Sequence, residues 1–238
     1  MKINYKKYGN KDETVLFLHG WGANLNSFNF FCQNLKSDYC CVLVDFPGFG
    51  ESEKLTAELT VFDYACEIHK LIKQLNLNKI IIVCHSFGAR VAILLATVFY
   101  CDITKLIIID GAGIKPKFNL ITSFKVLKYK LCKLLNKTKL FKFNLSAFGS
   151  ADFKKLNLTE RKTFINVVNF NEVNYLNKIK IKTLILWGEQ DKETKLYMAK
   201  IFKKKIKNST LKVFSGCGHF CFLDKPNLVL YEIKAFLN

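Results

Sequence analysis

Arginine is nearly missing from this chain of 238 residues: of its 37 basic side chains only Arg90 and Arg161 are arginines. Acidic residues are few as well, 19 in all, which leaves a net charge of +18. Such a balance admits an anionic partner. No recognisable nucleic-acid-binding motif accompanies it, so nucleic acid is not an expected partner. The excess of lysine over arginine, with abundant Asn, Ile and Phe, also reads as coding bias in an AT-rich genome. Long hydrophobic runs are absent. A membrane-spanning helix needs about 20 continuous apolar residues, and the longest run, Val91–Cys101, reads as a buried helix. Met1–Gly9 is polar and basic, without the apolar stretch of a signal peptide. The expected location is the cytoplasm. Paired cysteine spacings are absent too: the nine cysteines are scattered and odd in number, unlike a zinc site. They are expected as reduced, buried thiols, with no metal site. No internal repeat or low-complexity segment interrupts the chain.

Half of the residues are hydrophobic and 14% are aromatic, enough for a sizeable core in a single domain of this length. Strand-like and helix-like segments alternate, which predicts a mostly parallel sheet flanked by helices. The predicted strands are Val15–His19, Cys40–Asp45, Ile80–Cys84, Leu106–Asp110, Thr183–Trp187 and Leu211–Phe214. Helices are expected over Leu25–Leu35, Val61–Leu75 and Ser86–Tyr100, and after Pro226. The alternation stops at Gly111 and resumes near Lys182. Residues 1–110 and 182–238 therefore read as the core, and 111–181 as an inserted helical lid. From Gly111 to Ala151 the insert has nine lysines and no acidic residue. Leu120, Ile121, Phe124, Leu127, Leu131, Leu134 and Leu135 follow helical spacing there.

Four short motifs follow four predicted strands. Ile80–Val83 runs through Cys84-His85-Ser86-Phe87-Gly88 into an apolar helix. This is the pattern of a nucleophile elbow, a tight turn that lifts a serine hydroxyl above a sheet. Positions two before and two after the serine must be small, because strand and helix approach closely there. Gly88 meets that demand, and Cys84 stands where a first glycine is usual. The competing reading is a serine N-cap on an ordinary strand-to-helix turn. His19-Gly20-Trp21-Gly22 follows the first strong strand. Its glycines allow a loop whose Trp21 N–H, with that of Phe87, can form an oxyanion hole; the His19 side chain reads as structural. Trp187-Gly188-Glu189-Gln190-Asp191 offers a carboxylate to orient an imidazole, Asp191, with Glu189 and Asp110 as rivals. Asp45 is assigned to the turn before Pro47. Gly216-Cys217-Gly218-His219 places a histidine in a glycine-containing loop after the last strand. Among the other histidines, His69 is expected to be solvated on its helix, and His85 to be turned away from Ser86. The order Ser86, Asp191, His219 is that of a hydrolase triad.

The segments HGWGANLNSF, DFPGFGES, CHSFGARVAILLA, LILWGEQD and GCGHFCFLDKP together resemble the α/β-hydrolase superfamily, over nearly the whole chain. The first two are also similar to pimeloyl-carrier-protein methyl ester esterases, although they recur in hydrolases with other substrates. The resemblance implies an α/β-hydrolase fold and two-step acyl transfer. Ser86 would act as nucleophile, His219 as base, Asp191 as acid, and the Trp21 and Phe87 amides as the oxyanion hole, with neither metal nor cofactor. Serine at the nucleophile position speaks against the dehalogenases and epoxide hydrolases of the superfamily, which use aspartate. The expected substrate is a small-molecule ester with a small or medium apolar acyl group. Trp21, Phe87, Phe220 and the lid aromatics Phe118, Phe124, Tyr129 and Phe148 are its candidate contacts. Alternatives are C–C bond or amide hydrolysis by the same triad, or a non-enzymatic ligand-binding role. The basic lid, through Lys125, Lys128, Lys133 and Lys137, is a candidate docking face for an anionic carrier protein or an acidic membrane surface.

Overall fold

In a computed structural model, residues 1–116, 153 and 155–238 are described. Among these residues seven strands form one sheet: β1 (Tyr5–Tyr8), β2 (Thr14–Leu18), β3 (Cys40–Val44), β4 (Ile80–His85), β5 (Ile103–Ile109), β6 (Lys182–Gly188) and β7 (Ser209–Phe214). Their order across the sheet is β1-β3-β2-β4-β5-β6-β7. Every neighbouring pair is parallel except β1 with β3. The described helices are α1 (Asn29–Leu35), α2 (Val61–Gln74), α3 (Phe87–Thr97), α4 (Leu158–Asn169), α5 (Val173–Leu176), α6 (Leu196–Lys205), α7 (Cys221–Asp224) and α8 (Pro226–Leu237). A short 3₁₀ turn, Leu25–Phe28, leads into α1. The α/β-hydrolase architecture read from the motifs is the one observed.

Strand alternation sorts the core into two layers. Leu16, Leu18, Val42, Val44, Ile80, Ile82, Cys84, Leu106, Ile108, Ile185 and Trp187 pack with α2, α3 and α6 on one face. Val15, Phe17, Cys41, Leu43, Ile81, Val83, Ile107, Ile109, Leu184 and Leu186 pack with α1 and α8 on the other. Burial on both faces is why these strands read as continuous apolar runs. Helix α3 is buried from Phe87 to Leu95, as its apolar sequence requires. Helix α2 is amphipathic, and Thr60 and Asp63 close a capping box at its start.

Some boundaries differ from the sequence expectation. The β1 edge strand, Tyr-Lys-Lys-Tyr, has little apolar pattern; its exposed side chains reflect pairing on one side only. Strand β5 begins at Ile103, three residues before the expected start. Helix α3 ends at Thr97, and Tyr100 beyond it takes a positive φ and lies exposed. Helix α6 escaped the sequence reading because Lys200, Lys203, Lys204 and Lys205 mask its buried face of Met198, Ala199 and Phe202. The insert contributes α4 and α5 to the described residues. The expected amphipathic helix over 120–135, the four lid aromatics and the four lid lysines lie outside them. Among the described residues, no helix is long and apolar enough to cross a membrane.

Candidate active site

Parallel strands gather their C-terminal ends along one edge of the sheet, and ligands of such sheets bind at that edge. Gly20–Trp21 follows β2, Ser86 follows β4, Asp110 follows β5, Asp191 follows β6 and His219 follows β7.

Ser86 sits at the turn from β4 to α3 with φ 47° and ψ −110°. A side-chain-bearing residue in that region costs roughly 1–3 kcal/mol, so neighbouring bonds must hold it. The Ser86 N–H donates to Ile109 O at 3.1 Å, and its carbonyl accepts from Ala89 and Ala112 N–H at 3.0 Å each. A Cβ on Gly88 would lie 2.2 Å from the Leu18 carbonyl oxygen, so only glycine lets α3 start so close to the end of β2. Cys84 is accommodated at the other small position, its thiol donating to Ile107 O at 3.3 Å. Ser86 occupies the N-cap position of α3, yet its side chain makes no capping bond. Instead Ser86 Oγ lies 2.9 Å from His219 Nε2. The ordinary-cap reading of this serine therefore does not hold.

His219 Nδ1 lies 2.8 Å from Asp191 Oδ2. A carboxylate accepts, so this contact places the proton on Nδ1 and leaves Nε2 free to accept from the serine hydroxyl. Asp191 Oδ1 accepts the Glu193 and Thr194 N–H groups at 2.7 and 2.9 Å. Its Oδ2 also accepts from the Thr194 hydroxyl at 2.6 Å. Burial works to raise the Asp191 pKa, but the hydrogen bonds from His219 and Thr194 outweigh it and hold the carboxyl below its usual value. The sequence reading missed Thr194. Trp187 Nε1–H anchors the same loop by donating to Thr194 O at 2.7 Å, so the tryptophan at the end of β6 signals a fixed loop.

The rival carboxylates lie elsewhere. Asp110 is fully buried with a φ of 45°. It accepts Gly188 N–H at 2.8 Å and Cys221 N–H at 3.3 Å, and so ties the start of the acid loop to the end of the histidine loop. Burial pushes its pKa up to about 7 against the pull of those bonds. Glu189 is exposed and accepts from the Ser215 hydroxyl at 2.9 Å. Asp45 holds its turn by accepting from Leu25 N–H, Glu51 N–H and the Asn4 amide.

The remaining histidines divide by environment. His19 is buried, donates from Nδ1 to Gly20 O at 2.7 Å and accepts Phe46 N–H at Nε2 at 3.1 Å. Both contacts fit one neutral tautomer, and burial lowers its pKa to about 4. His85 is turned away from Ser86 and lies under the His219 loop. His69 departs from the solvated expectation: it is half-buried, with Nδ1 3.3 Å from Cys101 Sγ and its ring against Phe99. Helix α2 carries this side chain along the boundary of its apolar face.

Of the aromatic contacts read from the sequence, Trp21 is partly buried, packed edge-on against Phe49, Phe87 and Phe164. Phe164 belongs to α4, so the insert touches the loop after β2; neither Phe49 nor Phe164 stood out in the sequence. The Phe87 ring is only 2% exposed and packs on Phe46 and Tyr64, leaving its backbone at the serine. Phe220 is 48% exposed, with its ring 5.3 Å from that of His219.

Comparison with known proteins agrees with this architecture. A "putative esterase/lipase" of Haemophilus influenzae is 26% identical over 245 residues, spanning 94% of this chain and 83% of the relative. A 2-hydroxy-6-oxononadienedioate/2-hydroxy-6-oxononatrienedioate hydrolase of Escherichia coli is 27% identical over 267 residues, spanning 100% of this chain and 91% of that one. Among solved structures, an esterase from Exiguobacterium antarcticum superposes with a TM-score of 0.77 at 23% identity, covering 98% of this chain and 94% of its own. The model of the alpha/beta hydrolase family matches residues 15–232, and the chain belongs to that family.

Proposed function

We propose that this protein is a serine hydrolase for carboxylic esters with a small or medium apolar acyl group, with Ser86, His219 and Asp191 as its triad. The observation that carries this reading is the continuous hydrogen-bonded series from Ser86 Oγ through both nitrogens of His219 to Asp191 Oδ2. In the proposed reaction, Ser86 Oγ attacks the ester carbonyl while His219 Nε2 takes its proton. Asp191 stabilises the imidazolium, and His219 then gives the proton to the leaving alcohol. Water, deprotonated by the same imidazole, hydrolyses the acyl-enzyme and restores Ser86. The Trp21 and Phe87 amides are assigned as the oxyanion hole. Neither N–H has an acceptor among the described residues, and the Phe87 amide opens α3, where the helix dipole favours negative charge. Trp21 and Phe220 are assigned to the walls of the acyl site, with residues 111–181 as its lid.

Ester hydrolysis is supported by the name of the Haemophilus influenzae relative. Cleavage of a C–C bond by the same residues is the second reading, since the Escherichia coli relative carries such a substrate in its name. The test is hydrolysis of short p-nitrophenyl esters together with labelling by a fluorophosphonate probe. Ser86→Ala is expected to abolish labelling and to lower the rate by about 10⁴-fold or more. Labelling at another serine, with Ser86 untouched, overturns the assignment. Labelling of Ser86 without ester turnover shifts the reading to C–C hydrolysis.

A further inference from the structure

His85 precedes the proposed nucleophile and takes no part in the mechanism above, yet it lies between three segments of the site. Strand alternation decides where it points. Ile81, Val83 and His85 share one face of β4, and Ile81 and Val83 pack in the layer that contains Phe222. The His219 loop and α7 lie over that same layer. His85 is 2% exposed, and its Nε2 lies 2.8 Å from the backbone carbonyl oxygen of His219. A carbonyl only accepts, so the ring donates from Nε2 and carries a bare lone pair at Nδ1. Burial, aided by the neighbouring His219, lowers the His85 pKa to about 3, so the ring stays neutral and supplies a single donor. Its centroid is 4.8 Å from the His219 ring, 4.8 Å from Phe222 and 5.2 Å from Phe220. On its other side the ring closes on the loop after β2, where a Cβ on Gly20 would lie 2.7 Å from Nδ1.

We propose that His85 is a positioning residue: its Nε2–H holds the main chain of His219 at the height at which the imidazole meets Ser86. This inference rests on the reading of His219 as the base. The two proposed catalytic groups are 133 residues apart in sequence, and the histidine loop carries two glycines just before the histidine. Without a tether, such a loop relaxes by fractions of an ångström at little cost. Displacements of about 1 Å cost on the order of 10²-fold in rate, because proton transfer depends on the donor–acceptor distance. His85 is joined by one peptide bond to Ser86 and by one hydrogen bond to His219, so it links the nucleophile and base directly through the end of β4.

The experiment compares His85→Phe, which keeps the ring but loses the donor, with His85→Gln, which keeps an N–H donor at similar reach. On a short p-nitrophenyl ester, His85→Phe is expected to lower kcat by roughly 10- to 100-fold with KM nearly unchanged. Fluorophosphonate labelling of Ser86 should slow in parallel, and His85→Gln should recover most of both rates. A folded His85→Phe variant at the wild-type rate, or a Gln variant no better than Phe, overturns the inference while leaving the triad intact. Failure of the wild-type protein to label at Ser86 overturns the triad and this inference together. If the variants do not fold, ring ¹⁵N NMR of histidine-labelled wild-type protein decides. A His85 ring protonated at Nε2 supports the tether, and one protonated at Nδ1 overturns it.

Discussion

Asp191 accepts from His219, whereas Asp110, buried at least as deeply, accepts backbone N–H groups from Gly188 and Cys221. The two carboxylates are expected to respond differently to the same change. Asp191→Asn replaces one acceptor by an amide, so the imidazole loses its orienting anion; kcat is expected to fall by roughly 10³- to 10⁴-fold with the fold intact. Asp110→Asn should have a far smaller effect on rate. Its amide cannot accept from both N–H groups, so it should cost about 1–3 kcal/mol of stability in urea titration. A reversed order of rates would move the acid to the end of β5. His19 yields a prediction about pH. Its folded pKa is lowered from 6.5 to about 4, so between those values the unfolded chain binds a proton that the native state refuses. That contribution to stability is present above pH 6.5 and is lost as pH falls toward 4. His19→Gln, which cannot protonate, should melt below the wild type at pH 8, by a margin that narrows at pH 5. A margin independent of pH would contradict the neutral, buried assignment. Ser86, Asp191 and His219 stood out in the sequence because each lies within three residues of a glycine, in a turn or loop after a predicted strand. Thr194 and His85 were not, since nothing in the sequence tells a threonine or histidine that holds a loop from one that fills space.

At the scale of elements, the junction of β4 and α3 is the most constrained. Gly88 faces backbone: an added Cβ would lie 2.2 Å from Leu18 O and 2.8 Å from its carbonyl carbon. Gly88→Ala must therefore push α3 away from β2, and is expected to cost roughly 3 kcal/mol or more and to slow labelling of Ser86. Gly218 has open space where a Cβ would go, without a positive φ. Gly218→Ala is the control and should be tolerated within about 0.5 kcal/mol in the same urea titration. Equal losses from both would mean that the close approach is not what requires glycine at position 88. The core strands were legible because a strand buried on both faces must be continuously apolar. Strands β1 and β7 were less so: each lies at an edge of the sheet, and β7 is buried only at its end residues Ser209 and Phe214, which weakens the apolar signal.

For the molecule as a whole, the insert is joined to the core at a buried ion pair. Arg90, one turn into α3 after Ser86, donates to Phe170 O at 2.5 Å and lies 3.4 Å from Glu172 Oε2. Glu172 is fully buried and its N–H bonds Gly113 O, so the outgoing and returning ends of the insert meet here. Burial pushes the Glu172 carboxyl up to about 8 while Arg90 pulls it down. One carboxylate oxygen has no hydrogen-bond partner among the described residues. Removing the guanidinium leaves the buried Glu172 carboxyl to protonate and the Phe170 carbonyl without its donor, so Arg90→Ala is expected to cost about 1–3 kcal/mol in urea titration. The apolar pair Arg90→Met with Glu172→Leu should recover much of that loss. If the double variant is no more stable than the single, the charges are not what joins insert to core. The sequence by itself determined the sheet-and-helix alternation and the residue types after each strand, because burial on both faces and tight turns restrict which side chains can stand there. The sequence left three carboxylates open for the place beside His219, and left His85 and Arg90 without roles. Only the tertiary structure decided these, because parallel strand order brings residues more than a hundred positions apart to one edge of the sheet, and distance across that edge is not written in local sequence.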